Sequence, residues 1–214
     1  MVDPSPPATP GRPRSEQARR AVLDAARAQF EEQGYMAATI EAIAARSGVA
    51  KTTIYRSWSS RAAILVDVLV EMASALVPPP RGGDPMRAMS AELRGIAAAI
   101  NGPMGRLLTS LLGDAQVEPR VRAALIERLF RPRSQASASN ISRAQAAGAL
   151  RSDVPPHVAI DLLVGPLFYR MFVQHEPVTD TFVKQVLQYV VEGFRPRGVE
   201  VEGRRRRAAP APKP

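Results

Sequence analysis

Apolar residues return along this chain at steps of three and four, the spacing of one buried helical face, so helices are expected nearly throughout. Val22, Leu23, Ala26 and Phe30 share a face between Ser15, a candidate N-cap, and Gly34, a candidate C-cap. A short second helix carries Ile40, Ile43 and Ala44; Thr39 can cap it, and Ser47-Gly48 stops it at a sharp turn. A third run follows at once, Val49 to Ser57, with Val49, Ile54 and Trp58 facing inward. A fourth, capped by Ser59 or Ser60, bears Ile64, Leu65, Val68, Leu69, Met72 and Leu76. It is longer than a three-helix module needs, so its far end should pack on a second region and link the two mechanically. Pro78 to Gly83 breaks it.

Asp84-Pro85 restarts the helical pattern, which runs to Ile100 with Met89, Leu93, Ile96 and Ala97 buried. Asn101-Gly102-Pro103 interrupts it before a short apolar helix, Met104 to Leu112. Val117 to Ala147 reads as one long helix broken near Arg131 by Pro132, with Val121, Leu125 and Leu129 opposite Arg120, Arg122, Arg128 and Arg131. Two strongly apolar helices close the pattern, Pro155-Pro156 to Gln174 and Thr179 to Phe194. Together they carry more apolar surface than one small domain easily hides. They are expected to pair with their copies in a homodimer, the other use being completion of the monomer core.

Between the inward positions of the third run stand Lys51, Thr52, Thr53, Tyr55 and Arg56, a cluster of hydrogen-bond donors. No Asp or Glu occurs from Ala42 to Val66, although Arg46, Lys51, Arg56 and Arg61 are kept there. In a helix-turn-helix the first helix crosses the DNA backbone and the second enters the major groove, which demands a small residue at the crossing and a glycine at the turn. Ala44, Gly48 and, inside the second helix, Ile54 supply these in order. An ordinary helical hairpin would use the same alanine and glycine, but has no reason to clear acids from that window.

The run Gly48-Val49-Ala50-Lys51-Thr52-Thr53-Ile54-Tyr55-Arg56, followed by Trp58 and Ser60-Arg61, resembles the DNA-binding signature of the TetR/AcrR family of bacterial transcriptional regulators. Phe30, Gly34-Tyr35 and Thr39-Ile40 fit the same pattern, and Leu163 to Arg170 resembles one C-terminal subfamily. The family usually has Phe where Trp58 stands and Lys where Arg61 stands. Two recognition helices in a dimer should read a palindromic operator in double-stranded DNA. Lys51, Thr53 and Tyr55 are assigned to base edges or nearby phosphates, with Thr52 and Arg56 alongside; Thr39, Tyr55 and Arg61 are the candidate phosphate clamps. The resemblance also implies a pocket for a small-molecule effector that spreads the two heads. Met104, Leu108, Leu112, Leu129, Phe168, Tyr169 and Met171 are its candidate walls, though the same residues equally suit a plain core.

Charge changes this picture little. The net +9 divides into +1 over residues 1–77, +3 over 78–194 and +5 over 195–214, so bulk charge is only permissive and the local arrangement carries the DNA expectation. The proline-rich residues 1–14 are expected to be a disordered arm, from which Arg12 and Arg14 can reach a minor groove or simply be solvated. Residues 15–77 form the DNA-binding domain with its motif at 40–59, residues 78–196 the ligand-binding and dimerisation domain, and residues 197–214 a disordered basic tail. With no cysteine and two distant histidines, neither a metal site nor a cysteine nucleophile is expected. No glycine-rich phosphate loop suggests a cofactor, and no convergent catalytic set suggests an enzyme. No apolar run is long enough for a membrane span and none serves as a signal core, so a soluble cytoplasmic repressor is expected. A ligand-independent DNA-binding or architectural protein is the rival class.

Overall fold

The computed structural model describes residues 12–77 and 83–195, and every regular element among them is helical. Helix α1 spans Arg12–Gln33 and is closed by Gly34 at φ 85°. It begins three residues before the expected cap, so Ser15 lies inside its first turn, as does the backbone of Arg14. Of the disordered arm expected at residues 1–14, residues 12–14 are helical and 1–11 lie outside the described residues, as do the expected tail at 197–214 and residues 78–82 of the expected breaker.

Helix α2, Ile40–Ser47, starts where the Thr39 hydroxyl accepts the Ala42 N–H at 3.2 Å. It stops at Gly48, whose φ of 69° suits only a residue without Cβ and whose N–H returns to the Ala44 carbonyl at 3.0 Å. Helix α3 is Lys51–Ser57, two residues shorter at its start than the apolar pattern suggests. Helix α4, Arg61–Leu76, is capped by Ser60 through the Ala63 N–H. Leu76 is 53% exposed and leaves the expected stripe, but Ala62, Val66, Asp67 and Ala73 join it in burial. The helix is enclosed because it packs on α1 at one side and on the C-terminal helices at the other.

Those helices are α5 (Pro85–Ile100), α6 (Pro103–Val117), α7 (Pro119–Leu125), a π-helical turn Ile126–Phe130, α8 (Arg131–Ala146), α9 (Pro156–Phe172) and α10 (Asp180–Gly193). Asp84 caps α5 and Thr179 caps α10, each accepting one first-turn N–H. Helix α6 continues five residues past Leu112. The expected break near Arg131 is absent. Pro132 has no N–H for the Arg128 carbonyl, and the chain absorbs the lost bond by widening into a π turn, where the Arg131 N–H reaches the Ile126 carbonyl.

At the α5–α6 corner the two backbones nearly touch. A Cβ at Gly105 would stand 2.6 Å from the carbonyl carbon of Ile100 and nearer still to its oxygen, and neither atom can swing aside. Gly105→Ala is therefore expected to cost about 2–3 kcal/mol in urea unfolding. Gly113→Ala, in the same helix with nothing within 4 Å, should be neutral or stabilising by up to ~1 kcal/mol.

Candidate functional site

Helix α3 stands on Ile54, which is fully buried, and its C-cap Trp58, also buried; Val49 ahead of the helix is half-buried. That anchoring turns Lys51, Thr52, Tyr55 and Arg56 outward, all exposed, with Thr53 half-buried beside them. Five of the candidate DNA contacts thus come together on one short helix. Thr39 stands at the start of α2 with its hydroxyl oxygen engaged as the cap. Arg61 is placed differently: its guanidinium donates to the Tyr35 carbonyl at 3.0 Å and lies over the Tyr35 ring at 4.6 Å, so it pins the α1–α2 link. The side chain of Arg14 lies outside the described residues.

The fold returns acids that the sequence window excludes. Glu41 accepts from Lys51 Nζ at 2.8 Å, and Glu32 holds Arg46 through contacts of 2.5 and 2.7 Å. These bonds lower the carboxyl pKa values of Glu41 and Glu32 and raise those of Lys51 and Arg46. Exposed pairs of this kind are weak, so a phosphate can displace Glu41 from Lys51. Glu41→Gln is expected to tighten DNA binding about two- to fivefold, read by fluorescence anisotropy at low salt.

Two contacts, one on a buried carboxylate and one partly buried, join this head to the helices behind it. The carboxylate of Asp67, in the middle of α4, is 5% exposed. Its Oδ2 accepts from Arg19 Nη2 of α1 at 3.1 Å and from the Trp58 indole N–H at 3.1 Å, and its Oδ1 pairs with Arg128 of the π turn. One acid therefore ties α1, the end of α3, α4 and the C-terminal region. The second contact is the Tyr35 hydroxyl donating to Asp114 of α6; burial and that carboxylate raise the phenol's pKa. None of these roles was expected from the sequence. Two signals were present: a lone acid inside an apolar stripe, and a tryptophan whose N–H needs an acceptor when buried.

A cavity of about 510 Å³ lies among α4, α5, α6, α8 and α9. Met104, Leu108, Leu129 and Phe168 line it as expected. Leu112, Tyr169 and Met171 do not: Leu112 and Met171 are half-buried against the core, and Tyr169 is 57% exposed on the outer side of α9. With Phe168 turned inward, the next residue of a helix lies about 100° away, which accounts for Tyr169. The wall also has unexpected polar members. Ser137 donates to Glu92 Oε1 at 2.5 Å, and Arg133 donates to the carbonyls of Ala73, at 3.3 Å, and Val77 at the end of α4. Burial lowers the Arg133 pKa, against an opposing effect of Glu92.

A capped helix, a glycine elbow and a second helix with an outward basic face, set on a cavity-bearing helical body, define a helix-turn-helix regulator. Residues 22–68 match the family of bacterial regulatory proteins called tetR, and residues 79–190 match the tetracyclin repressor-like C-terminal domain. The chain belongs to the TetR family of transcriptional regulators. It is 30% identical to the HTH-type transcriptional regulator YdeS of Bacillus subtilis over 86% of this chain and 93% of that protein. The TetR family transcription regulator SCO0332 superimposes with a TM-score of 0.73 at 30% identity, covering 84% of this chain and all of that one. SmeT, the repressor of the Stenotrophomonas maltophilia efflux pump SmeDEF, shares the fold at a TM-score of 0.61 and 20% identity, over 92% and 97% of the two chains. Among the described residues no helix is long and apolar enough to cross a membrane, and no cluster of His, Asp or Glu could hold a metal.

Proposed function

We infer that the chain is a homodimeric, non-enzymatic repressor that binds a palindromic operator in the cytoplasm and is released by a small molecule. The observation that carries the DNA part is the exposed outer face of α3, Lys51 to Arg56, free of acids and held out on buried Ile54 and Trp58. Side chains so placed can meet base edges and phosphates, with Thr39 and the start of α2 against the backbone.

The dimer is supported by an apolar line along α9 and its C-cap that is exposed among the described residues: Val158, Leu162, Tyr169 and Val173 are each 37–60% exposed, with Gly165 between them, and Tyr189 of α10 is 65% exposed. The effector is supported by the cavity, which touches α4 at Ala73 and Val77. Since α4 also packs against α1, a ligand that alters the seating of α4 alters the spacing of the heads.

Binding to a specific and a scrambled operator, measured across salt, tests this reading against the architectural one. A preference of at least about a thousandfold is expected for the specific site, whereas equal affinities with one salt slope would overturn it. Lys51→Ala and Tyr55→Ala should each weaken specific binding at least about tenfold with the dimer intact.

A further inference from the structure

Beside the large cavity, between α4 and α8, lies a second space of about 200 Å³, a lobe whose lining shares Glu92, Leu129 and Arg133 with it. Charged lining in the lobe consists of Arg128 and Arg133 against Glu92 alone, a net +1. Asp161, the other acid of the large cavity, is exposed on α9 and takes no part in the lobe. Arg128 shares Asp67 with Arg19, Arg133 bonds two neutral carbonyls and Glu92 already accepts from Ser137, so three arginines stand here against two acids.

We propose that this lobe receives the acidic group of an amphipathic monoanion whose apolar body lies in the main bore among Ile96, Ile100, Met104, Leu108 and Phe168. The proposal rests on the ligand-release reading above and specifies its ligand class and its route. Both arginines hold α4: Arg128 through Asp67, and Arg133 through the carbonyls of Ala73 and Val77. A carboxylate is a stronger acceptor than a carbonyl and competes with Asp67 for Arg128. Filling the lobe therefore loosens two anchors of α4 and the Asp67 cluster that reaches Arg19 and Trp58 in the head.

The test uses the full chain with three probes of one alkyl length: decanoate, decanol and decyltrimethylammonium. Trp58, the single tryptophan, bonds Asp67 and reports the cluster by its fluorescence. Decanoate should bind at least about tenfold tighter than decanol, shift Trp58 emission and raise the melting temperature, while the ammonium does not bind. Arg133→Gln and Arg128→Gln should each lose the preference for the acid, and Arg133→Lys should keep part of it.

Equal binding of decanoate and decanol, or no binding of either by the wild-type chain, overturns the ligand class. So does preference for the ammonium that Glu92→Gln abolishes. Binding of decanoate with unchanged Trp58 emission overturns the route. Specific operator binding by the ligand-free protein decides the regulator reading separately, so its survival alongside any of these failures confines the error to this proposal.

Discussion

Asp67→Ala is expected to cost about 3 kcal/mol in urea unfolding. The loss has two parts. The Trp58 N–H stays buried without its acceptor, at about 1–3 kcal/mol, and two guanidiniums lose their shared counter-ion. Arg19 and Arg128 are 40% and 43% exposed and can recover water, which keeps the total near the low end for a broken buried pair. Glu71→Ala, one turn further along α4, removes a 43%-exposed acid that lies 3.7 Å from Arg20 and should change stability by less than about 0.5 kcal/mol. Equal losses from the two substitutions would show that the cluster contributes nothing special.

The other large effect concerns assembly. Leu162→Glu places a charge on the exposed α9 line next to Gly165, where a second copy of the helix is proposed to sit. Burying an unpaired carboxylate there costs several kcal/mol, more than a modest dimer interface can offset. Sedimentation should show monomers, and operator affinity should fall at least about a hundredfold because the second half-site no longer adds to the first. The substituted side chain is solvated in the monomer, so unfolding of the protomer itself should change little. An unchanged dimer would move the interface elsewhere.

Helix boundaries were legible at most residues with capping chemistry, although Ser15 lies inside the first turn of α1, which starts at Arg12. Thr39, Gly48, Ser60, Asp84 and Thr179 all act as their residue types predict, because capping is decided within three residues. The outward face of α3 was legible for the same reason: Ile54 and Trp58 face inward on so short a helix that Lys51, Thr52, Tyr55 and Arg56 must face out.

What stayed hidden depended on neighbours far away in sequence. Arg61 was read from its position in a motif, and its bond to the carbonyl of Tyr35, 26 residues earlier, is visible only in the fold. Lys51 and Arg46 meet Glu41, one residue before the acid-free window, and Glu32, further back on α1, so the window hid both. In the cavity, periodicity gave α9 an apolar surface all round but not its rotation, so Phe168 was placed and Tyr169 misplaced. Glu92, Arg133 and Ser137 carry polar side chains in helices read for their apolar faces, and only packing shows that they share a wall. Pro132 announced an interruption, but not that the chain would widen into a π turn, from which Arg128 reaches Asp67.

The central claim is that one exposed face of α3 enters duplex DNA twice, once per protomer. Methylation interference on the selected operator tests it most directly. Two interference patches are expected in the major groove, related by a two-fold axis and at least one helical turn apart, with Tyr55→Ala weakening both equally. A single asymmetric patch, or a pattern confined to the minor groove and untouched by Tyr55→Ala, would contradict it.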